Sequence, residues 1–319
     1  MKLNRYNQTK YFLLPFLMLL LVSCEEEVDI SIRNVDDKVV VVSTFTPNGN
    51  EPFSLNLSKS SSLFSESSPQ ALEQAVIQIC KGENCELLGP PENVSGGNDG
   101  RGIMFTTRNF RPQVNIPFTL KVNVDGVSPI SAQSIVPETI EMAHVAVGAS
   151  TQLTSDQPTN NEVEYETRIA LSFDDPAGED NYYQVNFQQL VITNGNLEED
   201  TISIPNVDYL SIDADLVNLR NVTDGGILID GKDFDGLTRD LLFRPTFKYN
   251  ALTENPISIA IELRTVSKEY FDYYSSVFRQ INQGSDPFIQ PVQIVSNINN
   301  GLGIFAGYSK SVVVRDLDL

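Results

Sequence analysis

The chain has 319 residues, with 42 Asp+Glu against 22 Lys+Arg, a net charge of −20 and a single histidine. A field of that sign repels phosphate backbones, which argues against nucleic acid as a partner, and one histidine rules out zinc sites built from several. The apolar fraction of 41% is that of a globular protein, and the length suits two ordinary domains.

Lys2, Arg5 and Lys10 precede an apolar run from Tyr11 to Val22 that only Pro15 interrupts, and the first acid is Glu25. The run is shorter than the roughly 17–25 residues of a membrane-spanning helix. Basic start, short apolar core and small Ser23 match a secretory signal peptide over residues 1–23. Leu21-Val22-Ser23-Cys24 resembles the lipobox of bacterial lipoproteins. That resemblance implies diacylglycerol on the Cys24 sulfur, cleavage before Cys24 and acylation of the new amine. Several acyl chains on one residue anchor firmly, at about 0.8 kcal/mol per buried CH₂. Residues 24–27 then form a lipidated acidic tether, and Glu25, Glu26 and Glu27 resemble the export tag of surface lipoproteins in Bacteroidota. Losing the leader removes three bases and no acid, taking the net charge from −20 to −23.

From Asp29 onward the dominant period is two, and residues 28–137 are expected to form a first β-sandwich. Ser58 to Ser68 reads as a polar loop within it. Cys80 and Cys85 flank Lys81-Gly82-Glu83-Asn84, a tight turn between two short strands. Cross-strand partners at that spacing come within disulfide reach, near 5.5 Å between Cα atoms, and an exported chain meets oxidising conditions. A structural disulfide is expected there. Phe118 to Val124 alternates cleanly, Asp125-Gly126 turns the chain, and Pro137 closes the domain.

Residues 138–319 are expected to form a second sandwich. Val163 to Phe173 alternates over eleven residues, and Ile257 to Leu263 does the same. Asn194-Gly195-Asn196 and Asp224-Gly225-Gly226 punctuate the strands. Many short strands with such turns predict a mainly β protein of two sandwiches, immunoglobulin-like or transthyretin-like. One helix interrupts the pattern over residues 268–283, capped by Ser267 and closed by Gly284. Tyr270, Phe271, Tyr274, Val277, Phe278 and Ile281 share one arc, with Lys268, Asp272, Ser275 and Arg279 opposite. The arc predicts a helix packed over the sheet; a face for a partner or a sugar is the alternative.

Catalytic signals are thin. His144 is the sole candidate for a triad base, no G-x-S-x-G elbow exists, and a lone strand histidine reads as structural. The densest acids, Asp174 to Asp180, read as a hairpin loop. Asp230, Asp233 and Asp235 resemble part of a calcium loop, but Asp230 is one residue out of phase and no bidentate glutamate follows. An Asx/Gly turn with solvated charges is expected instead, with calcium as the alternative. No phosphate-cradling or dinucleotide fingerprint is present.

Four segments resemble domain-of-unknown-function family 4249 of Bacteroidota lipoproteins: the lipobox with its acidic follow-on, Phe173 to Tyr183, Glu269 to Tyr274, and Ser296 to Ser309. In the last, Gly303 and Gly307 suit close approach of backbone. The resemblance implies an outer-membrane or surface lipoprotein, often found beside a TonB-dependent receptor, with no established catalytic residues. The expectation is a lipid-anchored, non-enzymatic accessory of an importer, without a cofactor beyond the lipid on Cys24. A surface adhesin or glycan-binding module is the alternative, and a carboxylate-based hydrolase the remote one.

Overall fold

Alternation decides the strands. In β1 (Val39–Phe45) the side chains of Val39, Val41, Ser43 and Phe45 point inward while Val42 faces solvent. β2 (Phe53–Lys59) buries Phe53, Leu55 and Leu57 in the same way. A half-buried pleated surface favours such residues on one side only. The computed structural model describes residues 38–47, 52–60, 72, 74–89, 103–153, 161–193, 196–203, 207–209, 216–218, 225–282 and 292–318. The expected leader, Cys24 and the glutamates after it lie outside these residues, as does most of the polar loop at 58–68.

The remaining strands of the N-terminal half are β3 (Val76–Lys81), β4 (Asn84–Leu87), β5 (Ile103–Thr107), β6 (Phe118–Asn123) and β7 (Ile130–Ser134). β8 (Met142–Val147), β9 (Thr151–Gln152), β10 (Glu162–Glu166), β11 (Ile169–Asp174) and β12 (Tyr182–Thr193) follow. Then come β13 (Asn196–Ser203), β14 (Val207–Tyr209), β15 (Val217–Asn218), β16 (Ile227–Asp230), β17 (Thr238–Asn250) and β18 (Glu254–Val266). The helix α1 (Lys268–Asn282) precedes the last strand, β19 (Leu302–Asp316). The protein is mainly β, as its periodicity predicts.

The described residues form three sheets. One runs β15-β16-β12-β18-β19-β1-β2-β5, with β13 also on β12. A second runs β8-β11-β17-β10-β9, with β14 also on β17, and a third runs β4-β3-β6-β7. Two large apolar cores lie between them, and a smaller apolar cluster lies beneath the helix. In the first, Phe45 meets Phe53, Phe110, Phe118 and Phe305 at centroid distances from 4.8 to 6.3 Å. Each such buried ring contributes about 2 kcal/mol by area alone. The second core joins Phe173, Tyr183, Val185, Phe187, Phe243 and Phe247, with Ile259, Ile261 and Leu263 from β18.

β19 serves both cores. Its first half, Leu302 to Gly307, pairs parallel with Val40 to Phe45, and its second half, Tyr308 to Asp316, pairs antiparallel with Val266 to Ser258. Phe305 therefore belongs to the first core, although it lies within the segment 138–319 expected to form the second sandwich. The crossover depends on glycine. A Cβ on Gly303 (φ +104°) would lie 1.9 Å from the Val41 carbonyl oxygen, and one on Gly307 would lie 2.1 Å from that of Ile135. Close approach of backbone is what these two glycines were expected to allow.

The eleven-residue alternation from Val163 splits into β10 and β11. Both pair with β17, through Glu166↔Thr246 and Ile169↔Phe243, and Pro245 sits at the break. Proline has no N–H for the ladder, so the pairing is interrupted there. Thr167 fills the gap: its N–H donates to the Pro245 carbonyl and its hydroxyl to the Gly148 carbonyl.

Candidate functional site

The disulfide forms as expected. Cys80 and Cys85 face each other across a two-residue turn at Gly82-Glu83, with Cα atoms 3.9 Å apart, nearer than the generic spacing because they are direct register partners. It staples an outer hairpin and is remote from the polar features below in sequence.

Two acidic loops interlock. Asp175, 5% exposed, accepts from the Tyr183 hydroxyl through Oδ1 and from the Gly236 N–H at 3.2 Å through Oδ2. Asp235 accepts from the Gly178 N–H at 2.6 Å, Asp174 accepts from the Thr238 hydroxyl at 2.5 Å, and the Gly231 N–H donates to the Asn181 carbonyl. Asp230 caps a short 3₁₀ turn at Gly231–Asp233 by accepting from the Lys232 N–H, and it also pairs with the Lys232 ammonium at 3.2 Å. Asp230 and Asp235 thus bond to separate backbone donors in the folded loops. Among the described residues no group of three or more His, Cys, Asp or Glu side chains is arranged to hold a metal. Burial, then the bond to Asp175, pushes the Tyr183 phenol far above its ordinary value.

Beside the first loop opens a cleft of about 480 Å³. Ile135, Pro137 and Ile140 bring one wall from the connection between the sandwiches, and Pro176 and Tyr182 bring another. The first turn of α1 and the end of β18 supply Val266, Lys268 and Glu269. Four carboxylates line it: Glu138, Glu179, Asp180 and Glu269. Glu138 accepts from the Asn115 side-chain amide at 3.1 Å, and Glu269 accepts from the Ser134 hydroxyl at 3.1 Å. Ser134 also accepts from the Gly307 N–H, tying β7 to β19. The one lining cation, Lys268, bonds to Asp272 at 2.6 Å, and that bond, ahead of all other influences, raises its pKa.

Helix α1 covers a second polar feature. Ser267 caps the helix, accepting from the Tyr270 N–H at 3.4 Å, and Tyr270 and Tyr274 pack on Val266, Ile304 and Ala306. The Tyr270 hydroxyl donates to Gln184 at 2.7 Å and accepts from an Arg264 guanidinium nitrogen at 3.2 Å. Arg264 in turn bonds Glu262 at 2.5 Å and lies 4.7 Å from the Tyr308 ring centre. Glu262 also takes the Lys310 ammonium at 3.1 Å and the Asn186 amide at 3.2 Å. Burial alone would push the Glu262 carboxyl up, but the charges of Arg264 and Lys310 and their bonds outweigh it and hold the group below the usual carboxylate value. Gln184, Asn186, Glu262 and Arg264 alternate with apolar residues along β12 and β18, a pattern that alone suits a wet face. The helix and the Gly225-Gly226 turn cover Gln184 and Asn186 instead: Gln184 donates to the Gly225 carbonyl, and a Cβ on Gly226 would lie 1.9 Å from the Asn186 oxygen.

The helix itself packs over the sheet, with a shifted arc. Ser275 and Ser276 are buried, whereas Ile281 is 48% exposed. The return segment after the helix accounts for part of this, because the Val295 N–H donates to the Ser276 hydroxyl at 2.9 Å. His144 is exposed on the edge strand β8, opposite Ser172.

These features define a mainly β protein of two large cores and one helix packed over a smaller apolar cluster, with a carboxylate-lined cleft where the connection meets the helix start. The chain belongs to the family described as a domain of unknown function, DUF4249, whose model matches residues 25–312. No curated protein matches the sequence.

Proposed function

We propose that the protein is a lipid-tethered, non-catalytic accessory of a TonB-dependent outer-membrane importer, displayed on the cell surface of a bacterium of the Bacteroidota type. The observation that carries this reading is Leu21-Val22-Ser23-Cys24 followed at once by Glu25, Glu26 and Glu27. In this reading acylation at Cys24 supplies the membrane attachment. The charged side chains of the β-scaffold support capture or docking over chemistry. The buried ones among the described residues are committed: Asp175 to Tyr183 and Gly236, and Glu262 and Arg264 to each other and to α1. The lone histidine stands exposed on an edge strand.

Metabolic labelling with a clickable fatty acid tests the anchor. The native chain is expected to take the label and partition with outer membrane, and Cys24→Ala to do neither. Unchanged partitioning with no label lost in that variant refutes the anchor. Affinity capture from solubilised outer membrane tests the partner: a TonB-dependent receptor should co-purify, and its absence refutes the accessory role.

A further inference from the structure

We propose that the outer half of β19, from Lys310 to Asp316, is a self-interface at which two copies of the chain join edge to edge, antiparallel about Val313. Backbone directions decide what this edge offers. The Ser267 N–H donates to the Gly307 carbonyl and the Leu317 N–H to the Ile257 carbonyl, so odd-numbered residues of β19 face β18. Antiparallel ladders alternate, so the N–H and C=O groups of Lys310, Val312, Val314 and Asp316 point the other way. β1 occupies that side as far as Gly307, and among the described residues no strand pairs with it beyond. The Val314 carbonyl takes the Arg315 guanidinium at 3.0 Å and has a second lone pair to share. Neither proline nor a bulge along this half of β19 spoils it as a template for another strand. Val312 and Val314 stand 48% and 50% exposed there. The flank is two layers deep. β8 ends the facing sheet, and just past it the Ser150 N–H donates to the Asp318 carbonyl just past β19.

The residues along the edge point to a second copy as its occupant. Pairing two copies about Val313 sets Lys310 of each against Asp316 of the other, and Val312 against Val314. Opposite charges directly across a ladder are stabilising and like charges are not, and β-branched side chains pack well on a pleated surface. All four residues carry outward groups, and a hydrogen-bonded pair exchanges two bonds, giving about eight across the two-fold axis. A shift of one residue sets outward groups against inward ones, and a shift of two parts Lys310 from Asp316. The Lys310 ammonium, which also pairs with Glu262 at 3.1 Å, has three donors. An isologous contact of this kind closes as a dimer. A stable interface buries roughly 800 Å² per partner, and a two-layer flank offers more than one strand edge alone. Two chains of charge −20 repel, but physiological salt screens charges beyond roughly 8 Å and spares contacts across a ladder. The inference does not depend on acylation at Cys24, so either can fail alone.

Sedimentation velocity of the purified full chain at physiological salt tests it, in mild detergent so that an acylated Cys24 stays in solution. The native chain should pass from monomer to dimer as its concentration rises. Asp316→Lys, at an exposed site, turns both charge pairs into like charges and should weaken the dimer about tenfold. Val314→Pro removes an outward N–H, leaves the ladder to β18 intact and should leave monomer alone. Oxidative cross-linking in cells reads the register. Val313→Cys should link to its own copy, because a non-hydrogen-bonded pair brings side chains closest. Ser311→Cys should link not to itself but to a co-expressed Arg315→Cys chain. The native chain, with any link made through Cys24, sets the baseline. The proposal is overturned if the native chain stays monomeric, if Asp316→Lys dimerises as the native chain does, or if Ser311→Cys links to itself as readily as Val313→Cys. A monomer that binds the free peptide of residues 310–316 would make the edge an acceptor for other extended segments, which also overturns a self-interface.

Discussion

Replacing Glu262 by glutamine is the sharpest perturbation of the buried charges under α1. The side chain keeps its size, but Arg264 and Lys310 lose their shared counter-charge. The side chains of Glu262 and Arg264 are only 7% and 11% exposed, so water cannot replace the lost partner there. Lys310, at 30%, can turn partly to solvent. Breaking a buried pair costs about 3–5 kcal/mol, and the exposure of Lys310 places this case near the lower end, at about 3 kcal/mol. For a chain of this size that corresponds to a fall in Tm of roughly 5 °C. The loss should also depend on pH. The folded carboxyl lies below its unfolded value of 4.5, so its contribution is complete above that pH and disappears as pH falls through the folded value. Urea midpoints for Glu262→Gln and the native chain should therefore differ by a constant amount from pH 8 to about 5 and converge below about 4.5. A variant within 1 kcal/mol of native at pH 7, or a gap that persists undiminished into acid, would refute the reasoning.

Two further expectations concern the joints of the fold. Gly303→Ala should cost on the order of 4 kcal/mol by urea denaturation, because the new Cβ meets the Val41 carbonyl at 1.9 Å and φ is +104°. Gly82→Ala also has positive φ, but nothing lies within 4 Å of its Cβ, so it should cost only about 1 kcal/mol; equal losses would contradict the account. Tyr183→Phe should lose about 2 kcal/mol through its missing bond to Asp175. The native phenol titrates above its unfolded value of 10.0, so stability from it is complete below pH 10 and declines as pH rises beyond. Urea midpoints between pH 9 and 11 should thus fall more steeply for the native chain than for the variant, and parallel slopes would tell against it.

Much of the scaffold is readable from pattern because local rules govern it. Phe118 to Asn123 alternates in sequence and in burial, and Ser267 begins the helix where its hydroxyl can cap. Cys80 and Cys85 meet because a two-residue turn leaves them opposite each other. What pattern cannot show is which partner a face meets. Gln184, Asn186, Glu262 and Arg264 carry the same alternation as solvent-facing residues, and only the arrival of α1 and of Gly225-Gly226 buries them. The break at Thr167 is invisible along β10 and β11, because its cause, Pro245, lies on the neighbouring strand. The cleft escapes for a similar reason: Asn115, Glu138, Asp180 and Glu269 come together only when separate segments of chain converge.

The shared strand orders events during biogenesis. Val41 and Phe45 wait for Gly303 and Phe305, so the first sandwich lacks a central neighbour until nearly all of the polypeptide has been synthesised. Pairing of such sequence-distant strands is slow, so the unfinished chain exposes an unpaired strand until its C-terminal end is available. Closure then comes last, when docking of one C-terminal strand completes both halves together.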